Sequence, residues 1–413
     1  KVVQAPGDDA YGNQNTDGSR SIRTIFEPMR KMGALARMML IAAAAKQWEI
    51  ATEACKAEKH HVVNQQTGEK LFFGDLVEAA AQQLVPENPT FKNRKDFNYI
   101  GKELPSIDID DFTSGQAIYG MDVKIPGMKY AAVARCPVTF GTVRSFDATD
   151  TEKVPGISRV IQMQRVEKPF GNLGGIAVVA DNTWSALKGK EALKIDWEFG
   201  DNGTYDTEAY MQTLKENVTK KGKLIQEKGD IERAFQQADK IREALYELPH
   251  LVHAPMEAPN ATARFENGTC EIWAPVQAPQ VTRKEVSELL EIDLENVTIH
   301  VTLLGGGLGR MSNPDFVLEA AWLAKETGAP VQVIWSREDD IRHSYYHAIS
   351  AQYLKGGLTG DGSVNAWLHR TAYPSITSTF MPGVVHGAGF EFKQGMTNMP
   401  YEIENQRFEN GEA

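Results

Sequence analysis

The residues with the clearest chemical potential are four glycines, Gly305, Gly306, Gly307 and Gly309, which lie within five positions of the chain. They follow the alternating apolar stretch VTIHVTLL and precede the helical pattern PDFVLEAAWLAKETG. A loop between a strand and a helix can bind an anion, because glycine leaves backbone N–H groups accessible and a helix start presents unpaired N–H groups. Arg310 is predicted to add a bidentate contact to a phosphate. A tight turn that binds nothing fits the same glycines equally well.

Two common nucleotide-binding motifs do not match this loop. A Walker loop requires lysine and a hydroxyl residue after its last glycine, and Arg310 and Met311 stand there instead. A dinucleotide fingerprint that starts at Gly305 requires glycine at the position of Arg310. An NAD-dependent dehydrogenase also needs an acidic residue at the end of the next strand, whereas PVQVIW ends in Trp335 and is followed by serine. We therefore rank the dehydrogenase reading last.

A second candidate loop, NTDGSRS, carries the hydroxyl residues Thr16, Ser19 and Ser21 around the flexible Gly18. It precedes a long helical pattern, which is again a position that favours anions. Loops of this composition commonly do no more than cap a helix, so the pattern alone gives weak support for a ligand.

His253 and Glu257 are four residues apart, a spacing that could bind a metal if both lay on one helix. Pro255 and Pro259 argue against a helix there. We predict a structural histidine and a solvated or ion-paired carboxylate, and the spacing of the other candidate ligands defines no metal site.

The composition indicates a globular protein of two or three domains. The chain has 413 residues, of which 42% are hydrophobic, and no segment reaches the roughly 20 apolar residues that cross a bilayer. A formal net charge of −11 argues against nucleic acid as a partner, because such a surface repels a phosphate backbone. Cys55, Cys136 and Cys270 form no C-x-x-C motif, so we expect three buried thiols and no iron–sulfur cluster.

The element pattern predicts a mixed fold of the α+β or α/β class. A first strand is predicted at residues 1–6, and a long helix from about Ile22 to Trp48. Asn267-Gly268 and Asp361-Gly362 predict two hairpin turns. The predicted parts are a strand, helix and hairpin part at residues 1–98, a small α+β module at 99–205, a charged helical connection at 206–239 and a further α/β part at 240–413.

Three long stretches resemble one protein family and cover nearly the whole chain in order. They are IGKELPSIDIDDFTSGQAIYGMDVKIPGMKYAAVARCPVTFGTVRSFDATD, LVHAPMEAPNATARFENGTCEIWAPVQAPQ and LLGGGLGRMSNPDFVLEAAWLAKETGAPVQVIWSREDDIRHSYY. Together they resemble the molybdenum-binding large subunits of the xanthine dehydrogenase and aldehyde oxidase family, in particular the branch of the isoquinoline 1-oxidoreductase beta subunit. The resemblance implies molybdopterin-binding domains on either side of an α/β hammerhead-like domain, which here is the 99–205 module.

The resemblance also implies a cofactor and residues that lie near it. The cofactor is molybdopterin, usually as the cytosine dinucleotide, with molybdenum. The residues implied are Gly306, Gly307, Leu308 and Gly309 beside the metal and pterin, Gln277 lining the cofactor region, and Thr16, Gly18, Ser19 and Ser21 in a hydroxyl-rich loop that contacts the pterin and shapes the substrate pocket.

The chain departs from the family pattern in ways that affect the expected site. Leu308 stands where the family usually has phenylalanine, and Leu251 corresponds to a glutamine near the metal in eukaryotic members. The general-base glutamate of the family is expected beyond Ala413, because the surroundings of Gly411-Glu412 do not match its motif. Another cofactor loop is expected before Lys1. We therefore expect a segment of a longer polypeptide that by itself lacks the catalytic residue.

For the complete enzyme, the resemblance implies oxidation of an aldehyde or an N-heteroaromatic carbon with oxygen derived from water. The implied partners are an iron–sulfur small subunit, which agrees with the few cysteines here, and the remaining parts of the same large subunit. A periplasmic location is implied by exported relatives, and a cytoplasmic one is expected otherwise. The alternative function is a non-catalytic, cofactor-free binding or assembly protein built from the same folds.

Overall fold

The computed structural model of the protein describes residues 4–413, which form two compact units. The smaller unit spans residues 16–117, and the larger comprises residues 4–15 and 118–413. Of the strand predicted at residues 1–6, the first three positions lie outside the described residues, and residues 4–6 are irregular. Within residues 4–413, no helix has both the length and the apolar character needed to cross a membrane.

The smaller unit packs a long helix against a small antiparallel sheet with strand order β1-β2-β3. Pro28 lies in the first turn of the long helix, where its missing N–H group costs no hydrogen bond. A run of alanines near the other end of the helix is buried together with Cys55, Val62 and Leu76. The elements are α1 (Arg20–Arg23), α2 (Phe26–Trp48), β1 (Cys55–Glu58), β2 (His61–Asn64), β3 (Lys70–Phe72), α3 (Phe73–Ala81) and α4 (Ile109–Ser114).

The larger unit contains a seven-stranded and a five-stranded sheet, together with a strand pair, β5-β8. Its first strands and helices are β4 (Lys129–Ala134), β5 (Thr142–Asp147), β6 (Ile157–Met163), β7 (Gly175–Ala180), α5 (Thr183–Ala192), β8 (Lys194–Glu198), α6 (Thr207–Thr219), β9 (Lys223–Lys228), α7 (Ile231–Gln236) and β10 (Lys240–Leu248). The remainder are β11 (Asn260–Glu266), β12 (Thr269–Ala274), α8 (Pro279–Leu290), β13 (Val297–Val301), α9 (Asp315–Thr327), β14 (Val331–Ile334), α10 (Arg337–Arg342), β15 (Ser350–Leu358), β16 (Val364–Ala372), α11 (Gly389–Phe392) and β17 (Asn405–Asn410).

The seven-stranded sheet, with order β13-β12-β11-β14-β4-β7-β6, joins distant parts of the sequence. Strand β14 pairs in parallel with β4, so that Val331 lies opposite Lys129. The sheet thus unites strands of the predicted 99–205 module with strands of the predicted 240–413 part. The domain boundaries proposed from the sequence remain predictions.

Helix α9 lies in the core beside this sheet and is apolar on nearly all sides, as expected of a buried helix. It also carries a fully buried carboxylate, Glu319. That carboxylate accepts hydrogen bonds from Arg135 Nε at 2.8 Å, Arg135 Nη2 at 2.5 Å and Trp335 Nε1 at 2.9 Å. The ion pair links α9 to the residue that follows β4. The cost of burying its two charges is offset because each charge is paired and hydrogen-bonded.

Both predicted hairpins are confirmed. Strands β11 and β12 pair with Glu266 opposite Thr269, and Asn267 and Gly268 adopt φ values of 50° and 77°, as a type I′ turn requires. Strands β15 and β16 form the other hairpin. The predicted helical connection at 206–239 also contains a strand, β9, which pairs with β17 at one edge of the five-stranded sheet. The prediction of a helical connection was wrong for residues 223–228, which form this edge strand between the helices α6 and α7.

A histidine in the five-stranded sheet gives stability a pH dependence. Burial lowers the pKa of His369 from 6.5 to about 4, and its Nε2 lies 2.8 Å from Gln352 Oε1. Between these two pH values the unfolded chain binds a proton that the folded chain does not, so stability falls as the pH falls from 6.5 toward 4.

We expect His369→Gln to flatten this part of the pH dependence. The measurement is the free energy of urea unfolding of both proteins between pH 4.5 and 7.5. His61→Gln, at a half-buried position of β2, controls for the substitution itself, so the measured effect is the difference in slope between the two variants. Equal slopes for the wild type and His369→Gln would contradict the prediction.

Candidate functional site

The glycine loop connects β13 to α9 and has an unusual backbone. Gly306 and Gly309 adopt φ values of 97° and 103°, which only glycine adopts without strain. Between them Leu308 has a φ of 54°, in the left-handed region that ordinary side chains avoid. The loop therefore stores strain at Leu308, a feature common at ligand-binding loops.

Three consecutive backbone N–H groups in this loop have no acceptor. Among residues 4–413, no hydrogen bond is donated by the N–H of Gly306, Gly307 or Leu308. Successive N–H groups separated by left-handed residues form a concave donor surface, which binds anions and carbonyl oxygens. The Leu308 side chain is 73% exposed, so it leaves one side of this surface open.

Gln277 supports the loop from the segment that precedes α8. Its Oε1 accepts a hydrogen bond from Gly309 N at 3.0 Å, and its own N–H donates to Met311 O at 2.9 Å. A Cβ placed on Gly307 would lie 2.3 Å from Gln277 Oε1. Glycine at 307 therefore allows the amide to reach the loop.

Glu257 anchors the beginning of the loop. Its Oε2 accepts a hydrogen bond from Gly305 N at 3.1 Å, and its backbone N–H donates to Gly305 O at 3.1 Å. The other oxygen, Oε1, accepts from Met121 N and from Asn260 Nδ2, both at 3.0 Å. The carboxylate is 8% exposed and bonds chiefly to backbone groups, so the prediction of a solvated or ion-paired carboxylate was wrong.

Arg310 does not face a ligand. Its guanidinium is fully buried and forms a bidentate pair with Asp315, with both N–O distances at 2.9 Å. The rings of Trp335 and Tyr345 lie 5.1 and 5.4 Å from it. The predicted phosphate contact by Arg310 is therefore wrong, because Asp315 and aromatic rings use the side chain to hold the start of α9.

His253 lies beside Gly309 and has a buried ring nitrogen, Nδ1, without a partner among the described residues. Burial lowers the pKa of His253, and the charge of Arg310 lowers it further. The residues around it are not helical, as the two prolines predicted. Within residues 4–413, no three histidine, cysteine, aspartate or glutamate side chains come together as a metal-binding group.

The residues predicted from the resemblance fall in both units. Gly306, Gly307, Leu308, Gly309 and Gln277 are brought together in the larger unit as described. Thr16, Gly18, Ser19 and Ser21 belong to the smaller unit, where Gly18 and Ser19 adopt φ values of 47° and 59° and lead into α1. Their predicted roles at a pterin remain predictions. Sequence reasoning missed the anchor role of Glu257 and the pairing of Arg310 with Asp315, although the spacing of Asp315 at the helix start was visible.

The chain is similar to several known proteins. The sequence profile of the molybdopterin cofactor-binding domain matches residues 212–411. The chain is 28% identical over 420 residues to the beta chain of isoquinoline 1-oxidoreductase from Brevundimonas diminuta, covering 90% of this chain and 52% of the relative. It is 26% identical over 405 residues to the membrane-bound aldehyde dehydrogenase (pyrroloquinoline-quinone) of Gluconacetobacter polyoxogenes, covering 96% of this chain and 51% of the relative. The chain therefore spans about half the length of these two relatives.

Solved structures show the same fold. CO dehydrogenase from Oligotropha carboxidovorans superposes with a TM-score of 0.54 at 18% identity, covering 75% of this chain and 44% of the other. The aldehyde oxidoreductase from Desulfovibrio desulfuricans gives a TM-score of 0.54 at 16% identity, covering 76% and 39%. The predicted mixed α/β architecture and the family resemblance are both confirmed. Residues 212–411 thus match a molybdopterin cofactor-binding domain, and nearly the whole chain is similar to large subunits of the xanthine dehydrogenase and aldehyde oxidase type.

The residues of the larger unit fit such a cofactor through their backbone. The loop offers three unpaired N–H donors, no Cβ atom at Gly306 or Gly307, and an exposed surface. These donors suit the oxygen atoms of a pterin or of a group bound next to it.

Proposed function

We propose that this chain is the part of a molybdenum hydroxylase large subunit that holds one side of its molybdopterin cofactor. The observation that carries the proposal is the row of unpaired N–H groups at Gly306, Gly307 and Leu308, inside the region that matches the molybdopterin-binding domain. When bound, the cofactor would supply the redox centre that takes two electrons from the substrate and the oxygen that is transferred to it.

The chain's own residues would position the cofactor and exclude water from one side of it. Gln277 and Glu257 fix the two ends of the glycine loop, so that its N–H groups stay oriented without a cofactor-induced rearrangement. Leu308 would present an aliphatic wall beside the reacting centre. The base that accepts the substrate's proton is proposed to be a glutamate of the remaining polypeptide.

The proposed reaction is oxidation of an aldehyde or an N-heteroaromatic carbon, the chemistry named in several relatives. The proposed partners are an iron–sulfur subunit and the rest of the large subunit, and the proposed cofactor form is the cytosine dinucleotide. We further propose a periplasmic location, by analogy with exported relatives. A cofactor-free binding or assembly protein is the competing function.

The proposal is tested by cofactor content. The chain is produced with the remaining part of its large subunit in a host that makes molybdopterin, and molybdenum is measured by mass spectrometry and pterin by fluorescence after oxidation. We expect close to one molybdenum per complex. Gly307→Ala places a methyl group against Gln277 Oε1, and we expect it to lower the retained cofactor about tenfold, equivalent to about 1.4 kcal/mol.

Gly389→Ala is the matched control, because a Cβ there meets nothing within 4 Å. It should retain the wild-type amount of molybdenum and pterin. A correctly folded complex that contains neither would refute the proposal and favour the assembly function.

A further inference from the structure

The smaller unit contains a cleft of about 1060 Å³ that plays no part in the function proposed above. One wall is a face of α2 that carries Arg30, Gly33 and Arg37. The turn between β1 and β2 forms a second wall, and residues 91–100 form a third. All of its walls belong to one compact unit. The volume is at the upper end of the range for small-molecule sites.

The charge of the cleft is opposite to that of the protein. The lining contains six lysines and arginines against two carboxylates, whereas the whole chain has a net charge of −11. Lys59, Lys92 and Lys95 make no ion pair or side-chain hydrogen bond with any residue in the described range 4–413. An excess of unpaired cations in a concave surface concentrates anions.

Aromatic rings lie among these cations. The Arg30 guanidinium lies 5.0 Å from the Phe91 ring and 5.3 Å from the Phe97 ring, which fastens the 91–100 segment to α2. Tyr99 is 70% exposed and Phe91 is 40% exposed, so both rings offer surface for stacking. Exposed rings beside unpaired lysines are suited to a ligand that is both planar and anionic.

Small residues leave space between the walls of the cleft. The lining includes Gly33, Ala34, Ala36 and Ala57, and a Cβ on Gly33 would meet nothing within 4 Å. At the rim, Lys59 and His60 adopt φ values of 47° and 64° in a turn where asparagine and glycine are preferred. The strained turn thus places a lysine and an imidazole at the opening.

We propose that this cleft binds a polyanion that carries an aromatic ring, the chemistry of a nucleoside diphosphate. The phosphates lie against Lys59, Lys92 and Lys95, and the base stacks on Phe91 or Tyr99. No residue of the glycine loop is among those that line the cleft, and the proposal does not depend on the cofactor function.

The test is isothermal titration calorimetry of the full chain with ADP and CDP at low salt, with pyrophosphate and adenosine as partial ligands. We expect both nucleotides to bind at least tenfold more tightly than either partial ligand, with affinity that falls as salt rises. The double variant Lys92→Glu/Lys95→Glu should weaken binding at least tenfold. Lys102→Ala, an exposed lysine outside the cleft, should change it less than twofold.

A second variant keeps the test informative if charge reversal disturbs folding. Gly33→Leu adds a bulky side chain to the α2 wall of the cleft, and leucine favours a helix interior over glycine, so the protein should remain folded while binding is lost. Binding that survives Gly33→Leu but is lost in Gly307→Ala would place the nucleotide at the glycine loop and overturn the proposal. Equal binding of pyrophosphate, or no binding at millimolar nucleotide, would also overturn it.

Discussion

Replacing Asp315 by asparagine is expected to lower the free energy of unfolding of the larger unit by about 3–5 kcal/mol. Both members of the Arg310–Asp315 pair are fully buried, and asparagine would leave a charged guanidinium without its hydrogen-bonded carboxylate in the core. The cost is large because water cannot reach the group to solvate it. The nearby rings offset only a part of this cost, since they contact the guanidinium through its face.

The measurement is urea unfolding followed by circular dichroism, with wild-type protein in parallel. Glu191→Gln is the control, because it removes an ion pair with Lys188 in which both side chains are about half exposed or more. Its effect should stay below about 0.5 kcal/mol. A loss below about 1 kcal/mol in Asp315→Asn would show that the pair is replaceable and that the core around Arg310 admits water.

Replacing Glu257 by alanine is expected to cost about 2–5 kcal/mol and to release the beginning of the glycine loop. The substitution removes the acceptor of three N–H donors, on Gly305, Met121 and Asn260. Glu257→Gln keeps one carbonyl oxygen and turns the other acceptor into a donor, so its cost should be intermediate. We expect the free energy of unfolding to increase in the order Glu257→Ala, Glu257→Gln and wild type.

The free energy of unfolding measures the loss of stability. Amide hydrogen exchange at residues 303–309 measures the release of the glycine loop. Exchange at Gly305 should become faster in both variants, because its N–H loses or weakens its acceptor. Glu266→Ala, at the exposed end of the β11–β12 hairpin, should alter neither quantity. Stability loss without faster exchange in the loop would contradict the anchor role of Glu257.

Local patterns in the sequence were sufficient for the two hairpins and for the position of the glycine loop. Asn267-Gly268 fixes the β11–β12 turn because both residues tolerate positive φ. The four glycines likewise predict a loop with positive φ, which is found at Gly306 and Gly309. Such signals are local, so they can be read from neighbouring residues. The resemblance rests on three long motifs, and the comparisons agree with it.

The partners of charged side chains could not be predicted in the same way. Arg310 could pair with a phosphate or with a carboxylate, and only the fold shows that Asp315 lies opposite both of its terminal nitrogens. Glu257 could be solvated or buried, and its burial depends on Met121, which is 136 residues away in sequence. The three unpaired N–H groups are likewise invisible in the sequence, because backbone hydrogen bonding depends on tertiary contacts.

The parallel pairing of β4 with β14 has a consequence for biosynthesis. Lys129 of β4 lies opposite Val331 of β14. About 200 further residues must therefore be translated after β4 before its parallel neighbour, β14, exists. At usual translation speeds this interval is roughly 10–40 s. During that time β4, which is paired with β7 on its other side, exposes an unpaired edge that can pair with other nascent chains. Expression yield should therefore respond to chaperone supply and growth temperature more strongly than the stability of the finished protein would indicate.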